Sequence, residues 1–314
     1  MARRILLDVT PLRASPDFRL LWTGQLVSVI GRQVTTVAVP FQVFQLTGSS
    51  LMVGLVSAAQ LGPLLACSLV GGSVAATTVW RLRPLPPHGG GTRAGIASIL
   101  EGLHFLRGRR ALQGTFVIDV NAMVFGMPRA LFPALGTGLF GGGPATVGLL
   151  YAAPGAGALV AALTTGWVTS VRRQGRAVVV AVIVWGAAVA AFGAVSWLPL
   201  ALALLAVAGA ADVVSAVFRN TILQLSVPDR LRGRLSSVHI GVVTGGPLLG
   251  DAEAGAVAAV TTPQTAVVSG GLACVAGALV VARMLPQLAR WTMDDAVADD
   301  APTPEQATTG PPGS

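Results

Sequence analysis

The sequence predicts an all-α, polytopic helical membrane protein with about eight transmembrane helices, and three observations carry that expectation. Of 314 residues, 53% are hydrophobic and only 11% charged, less than half the roughly 25% charged residues of a soluble domain; the mean hydropathy is +0.71. Eight apolar stretches are each long enough to cross a hydrocarbon core of about 30 Å, which takes about 20 helical residues. The 21 basic residues are all arginine, and 18 of them cluster at the N-terminus and in alternate loops between those stretches. A soluble core of this composition would leave too few polar residues to cover it, and a disordered chain needs low hydrophobicity and high charge. A net charge of +8 and a pI near 11.4 would suit nucleic acid if the arginines shared one patch with interleaved aromatics. They do not, so the expected partner is a lipid bilayer and no nucleic acid.

Taken in order, residues 1–19 form a cytoplasmic N-terminus with Arg3, Arg4, Arg13 and Arg19. No long apolar region follows that would mark a cleaved signal peptide. Residues 20–80 make a first helical hairpin, with spans at about 20–44 and 51–79. Residues 81–111 form a cytoplasmic linker, Pro/Gly-rich over 84–95. Within it Ile96, Ile99, Leu100, Leu103 and Leu106 recur at the spacing of an amphipathic surface helix. Residues 112–290 hold six more spans, at about 112–136, 145–169, 177–195, 198–225, 236–260 and 264–285. The tail, 291–314, carries Asp294, Asp295, Asp299, Asp300 and Glu305 with no apolar period and is expected to be disordered. Arginines populate the N-terminus and the loops after the second, fourth, sixth and eighth spans; the loops at 45–50, 136–144, 196–199 and 261–264 have none. By the positive-inside rule this places both termini in the cytoplasm and an even number of spans in the cytoplasmic (inner) membrane.

Seven charges fall inside spans: Arg32, Arg129, Arg219, Asp119, Asp212, Asp251 and Glu253. At about 2.5–3.5 kcal/mol each, isolated charges would cost roughly 18–25 kcal/mol, so most must pair or face a wet cavity. Asp212 and Arg219, seven residues apart, share a helix face but stand about 10 Å apart along its axis, which predicts one shared cavity and no close bond. Asp119 and Arg129, about 15 Å apart, each need a partner on another helix. Cys67 and Cys274 lie in apolar runs and read as small buried hydrophobes. The Gly-rich run at 155–163 reads as a close helix contact. His88, His104 and His239 are scattered, with no acidic neighbour at ligand spacing, and there is no GxSxG or Walker signature. No enzyme, cofactor or metal site is expected, and transport would draw on an ion gradient.

Three stretches carry a family resemblance: DFRLLWTGQLVSVIGRQVTTVAVPFQVFQLTGSSLMVGLVSAAQLGPLL (17–65), LEGLHFLRGRRALQGTFVIDVNAMVFGMPRALFPAL (100–135) and GAADVVSAVFRNTILQLSVPDRLRGRLSSVHIGVVTGGPLLGDAEAG (209–255). They resemble the enterobactin-exporter-like and drug-efflux branch of the major facilitator superfamily, over residues 11–290. That family has twelve spans in two six-helix halves, and its second span runs into a loop of the form GGxxADRxxRR. Here GGSVA (71–75) runs into ATTVWRLRPLPP, which resembles the exit from the sixth span. The resemblance therefore implies a truncated major facilitator fold lacking the third to sixth helices, about 100 residues, with the join near Ala76. GWVTSVRRQGR (166–176) keeps the family's basic loop without its acid.

The resemblance also implies that the first, third and sixth spans line a central cavity. The transport-pathway candidates are Arg32, Asp119, Asn121, Arg129, Asp212, Arg219 and Asn220, and the conformational candidates are Gly245, Gly246, Pro247, Gly250, Asp251 and Glu253. An Asp–Arg network there could exchange a proton and so bias inward- against outward-facing states. Plainer roles stay open: Asp119 and Asn121 as caps or interface residues, Arg219 snorkelling to the cytoplasmic surface, and Arg32 having lost its partner with the absent helices. Asp251 and Glu253 could belong to a Gly-broken helix that never meets substrate. The implied function is a secondary transporter resembling proton-coupled exporters of siderophores or drugs. The alternative is a non-transporting remnant or partner-dependent subunit, and a homo-oligomer stays open.

Overall fold

A computed structural model describes residues 33–62, 104–164, 171–227 and 229–292, and among them every regular element is helical. Arg32, Cys67, the join near Ala76, the linker at 84–95, most of the surface helix at 96–106 and the tail beyond 292 lie outside the described residues. Residues 33–47 form α1, and Ser50–Ala59 forms α2. The turn between them uses Gly48 at φ +64°, a left-handed conformation that glycine adopts without steric cost. Ser49 then caps α2 by accepting the Met52 N–H at 3.4 Å.

Arg110–Phe125 forms α3. The same segment continues to Leu139, but not as one regular helix. It breaks at Gly126–Pro128, makes a 3₁₀ turn at Arg129–Leu131, one helical turn at Phe132–Ala134 and a π turn at Leu135–Leu139. Pro128 has no N–H to continue the ladder, which is why the break falls there.

After it come α4 (Pro144–Leu163), α5 (Gln174–Ala194), α6 (Leu198–Ser226), α7 (Asp229–Val260), α8 (Pro263–Met284) and the short α9 (Pro286–Arg290). Proline in the first turn starts α4, α6 and α8, where its missing N–H costs nothing. Thr262 caps α8 by accepting the Thr265 N–H at 3.1 Å.

Five helical segments are long and apolar enough to cross a membrane: Arg110–Leu139, Pro144–Leu163, Gln174–Ala194, Leu198–Ser226 and Pro263–Met284. The expected count of eight is not reached among the described residues. The first hairpin is only partly described. The seventh expected span, 236–260, lies in α7, whose 32 residues reach about 48 Å. Asp251, Glu253, its glycines and Pro247 make it less apolar than the other five.

In the bundle α5 packs against α6 and α8, α6 also against α4, and α7 against α2, α3 and α8. Small residues set the closest crossings, since backbones in a membrane approach best where no side chain intervenes. Gly157 of α4 lies on the Ala206 carbonyl of α6, and Gly209 of α6 on the Pro154 carbonyl of α4. This is the contact expected of the Gly-rich run at 155–163. Gly255 of α7 likewise meets Ser50 and Gly54 of α2. Trp185, Phe132, Phe192 and Phe218 fill the core between these crossings, and Cys274 is buried.

The packing also gathers the arginine-bearing ends on one side. α9 contacts α3 and α5, where Leu288 lies against Gly114 and Gly175 near the starts of those helices. Arg109, at the start of α3, donates to the Ser226 carbonyl at the end of α6 (3.1 Å).

Candidate functional site

Asp119 is the tenth residue of α3 and fully buried, so it neither caps the helix nor faces the membrane surface. Its Oδ1 lies 2.8 Å from Nη1 of Arg219 on α6. Arg219 is only 3% exposed and does not snorkel. Its Nη2 lies 3.8 Å from Oδ1 of Asp212, one third exposed, on the same helix. This corrects the expectation that seven residues keep the pair apart. Helical side chains lean toward the N-terminus, so the long arginine side chain reaches back along the axis and closes most of the gap.

A residue outside the expected set completes the cluster. His239 of α7 places Nδ1 3.3 Å from Asp119 Oδ2, its ring edge-on to Phe116 with centroids 6.2 Å apart. Three helices thus converge on one carboxylate. Both Asp119 oxygens and Arg219 Nε and Nη1 lack an aligned hydrogen bond among the described residues. The cluster is held chiefly by charge, and charge attraction tolerates the misalignment that a hydrogen bond does not. Beside it, a cavity of about 400 Å³ lies between α6 and α7, lined by Asn220, Gln224, Ser236, His239 and Thr244 among others. His239 borders both the ion cluster and the cavity, and Asn220 is exposed toward the cavity.

The other candidates lie elsewhere. Asn121, two residues beyond Asp119, faces another way: its Nδ2 donates to the Cys274 carbonyl of α8 at 2.9 Å, and Gly277 leaves room for its amide. It ties α3 to α8. Arg129 sits in the 3₁₀ turn at the helix break and attracts both Asp251 and Asp212 at longer range. Gly246 and Gly250 let α7 lie against Met123 and Val124 at the end of α3, while Gly245 is turned toward Leu61. Pro247 lies inside α7, and Glu253 is half-buried on another face of that helix.

Asp251 attends to the break itself. Its Oδ1 accepts the Ala130 N–H at 2.9 Å, with the buried Ser57 of α2 near the carboxylate. Tyr151 of α4 donates to the Arg129 carbonyl at 2.9 Å, and Trp185 Nε1 of α5 donates to the Gly126 carbonyl at 2.8 Å. Irregular backbone at membrane depth is tolerated only where neighbours satisfy it, and here α4, α5 and α7 each supply one bond. Sequence reasoning missed His239, Tyr151 and Trp185. The rule that ionisable groups in spans are functional candidates reaches His239 once histidines are counted with the acids and arginines. For Tyr151, the signal is that it is the one tyrosine in the chain.

Residues 94–309 match the family described as Transmembrane secretion effector. The chain is similar to the enterobactin exporter EntS of Citrobacter koseri, 28% identical over 221 residues that make up 70% of this chain and 53% of that protein. It is also similar to EntS of Escherichia coli O139:H28 (26%) and of Shigella boydii serotype 18 (27%), each over 67% of this chain and 50% of the relative. The chain therefore spans about half the length of the curated relatives it matches. No solved structure matches it. These matches accord with an all-helical membrane protein whose charges converge inside the bundle, and the chain belongs to the transmembrane secretion effector family of the major facilitator superfamily, a family of transporters rather than enzymes.

Proposed function

We propose that this chain is a secondary active transporter of the cytoplasmic (inner) membrane, both termini cytoplasmic, exporting a small molecule of the siderophore or drug class in exchange for protons. The observation that carries the reading is the convergence of Asp119, Arg219, Asp212 and His239 from three helices beside a cavity of about 400 Å³. Arginine keeps its charge in proteins. With His239 neutral, two carboxylates and one guanidinium leave the cluster at net −1, and a single proton brings it to zero. A proton arriving on Asp119 weakens what holds α3 to α6, whereas one arriving on His239 gives the imidazole a charge that draws α7 closer to the Asp119 carboxylate; either change biases one conformation over another. Asn220 and Gln224 supply uncharged polar contacts for a substrate in the cavity.

The test is efflux from a pump-deficient host across a panel of siderophores and dyes. Export by wild type that collapses with a protonophore and is lost in Asp119→Asn and Arg219→Ala supports the reading; no protonophore-sensitive export of any panel member counts against it. Labelling of cysteines placed near each end, from outside only, checks the orientation.

A second reading rests on the chain spanning about half of its relatives. Alternating access rocks one repeat against another, so a single six-helix half with one hairpin would be a partner-dependent subunit or a non-transporting remnant. A homo-oligomer would supply the opposing wall. Counterflow in liposomes by the purified chain alone separates the readings: a remnant, or a subunit that needs a different partner, gives none, whereas a chain that transports by itself or as a homo-oligomer does.

A further inference from the structure

Away from the ion cluster, α5 and α6 enclose a groove of about 620 Å³. Its walls are alanine, valine and phenylalanine: Ala177, Ala181 and Val184 on α5, Val207, Ala210 and Val214 on α6. The floor is buried, with Ala181 at 6%, Ala211 at 7% and Phe218 at 0% exposure, while the rims stand open, with Val180 at 50% and Val207 at 47%. The apolar lining runs from residue 177 to 184 on α5 and from 207 to 218 on α6, about 10 Å and about 16 Å. The longer run matches the depth of one leaflet's hydrocarbon, half of about 30 Å. At one end stand two exposed guanidiniums, Arg173 and Arg176, at the N-terminus of α5, whose dipole adds further positive potential. It is the end of the bundle where the arginine clusters gather.

We propose that this groove binds one anionic phospholipid, an acyl chain lying along the small residues of α5 and α6 and the phosphate paired with Arg173 and Arg176. The apolar length, its opening to the lipid and the charge at headgroup level suit a molecule with an apolar chain and an anionic head, and basic pockets between helices recruit such headgroups. A plain lipid-facing helix surface has neither the recessed floor nor the paired charges. Arginine in particular offers a fork of donors that matches phosphate geometry.

The experiment titrates the full chain in detergent with phosphatidylglycerol or phosphatidylcholine and counts bound lipid by native mass spectrometry. Two guanidiniums at about 1 kcal/mol each correspond to roughly a 30-fold preference for phosphatidylglycerol at low salt. That preference is expected to vanish in Arg173→Gln/Arg176→Gln. Arg172→Gln, one residue from the groove, is expected to lose far less. Ala181→Trp, which fills the floor and keeps both charges, is expected to lower binding of either lipid at this site. Equal affinity of wild type for the two lipids overturns the proposal. So does a loss in Arg172→Gln as large as in Arg173→Gln/Arg176→Gln, which would mean general surface charge, or displacement of the lipid by inorganic phosphate, which would mean a site for free anions.

Discussion

Replacing Asp119 with asparagine leaves Arg219 buried with one distant counter-ion. At an effective dielectric of about 20, the Arg219–Asp119 contact at 2.8 Å has a gross attraction of about 6 kcal/mol and the Arg219–Asp212 contact at 3.8 Å about 4 kcal/mol. The second figure is reduced by solvent, because Asp212 is one third exposed. Most of the gross attraction offsets desolvation, and removing one partner of a buried pair costs about 3–5 kcal/mol net. Asp119→Asn is therefore expected to destabilise by about 3 kcal/mol, since Asp212 still faces the guanidinium. Arg219→Ala strands two carboxylates and is expected to cost more. Asp212→Asn is expected to cost about 1 kcal/mol or less. The double variant Asp119→Asn/Arg219→Ala removes both charges together and is expected to cost clearly less than the sum of the single changes. Reversible denaturant unfolding of the purified chain in detergent, followed by circular dichroism, measures all four. Asp119→Asn matching wild type within 1 kcal/mol, or a double variant equal to the sum, would refute the view that these charges are paired in a dry interior.

Other expectations follow from the helix break and the close crossings. Asp251→Ala orphans the Ala130 N–H and is expected to cost about 1–3 kcal/mol; Asp251→Asn, which keeps an acceptor oxygen, should recover most of that in the same unfolding assay. Trp185→Phe removes the donor to the Gly126 carbonyl and is expected to cost about 1–2 kcal/mol. Gly157→Val puts a branched side chain against the Ala206 carbonyl, an overpacking of about 3 kcal/mol or more; proteolysis should then cut more readily in the loops bounding α4.

The helical architecture could be read from the sequence because lipid enforces it. Long apolar runs separated by turn residues leave the backbone few alternatives, and α4, α5, α6 and α8 fall within about ten residues of the expected spans at either end. Charge cost pointed to Asp119, Arg219 and Asp212 as residues needing partners. It could not say which would meet, because the pairing depends on how α3, α6 and α7 cross. His239 was lost for that reason: its partner lies 120 positions away in the chain and on another helix. Asn121 misled because one turn of sequence holds two faces, and the side chain two residues beyond Asp119 belongs to the contact with α8. The break falls at Pro128, a proline inside an expected span, but its satisfaction by Asp251, Tyr151 and Trp185 cannot be read from the chain, since hydrogen bonds between distant helices leave no local periodicity.

A proline in the middle of a bundle is ordinarily a soft spot. Around Gly126–Ala130 the softness is removed by bonds from Trp185, Tyr151 and Asp251, each on a different helix, so the segment beyond cannot swing until all three let go. The three bonds oppose such a swing by about 3 kcal/mol together, and the burial of Leu131, Phe132 and Leu135 just beyond the break adds to it. The kink is thus stapled from three sides, and loosening α4, α5 or α7 alone leaves two staples in place.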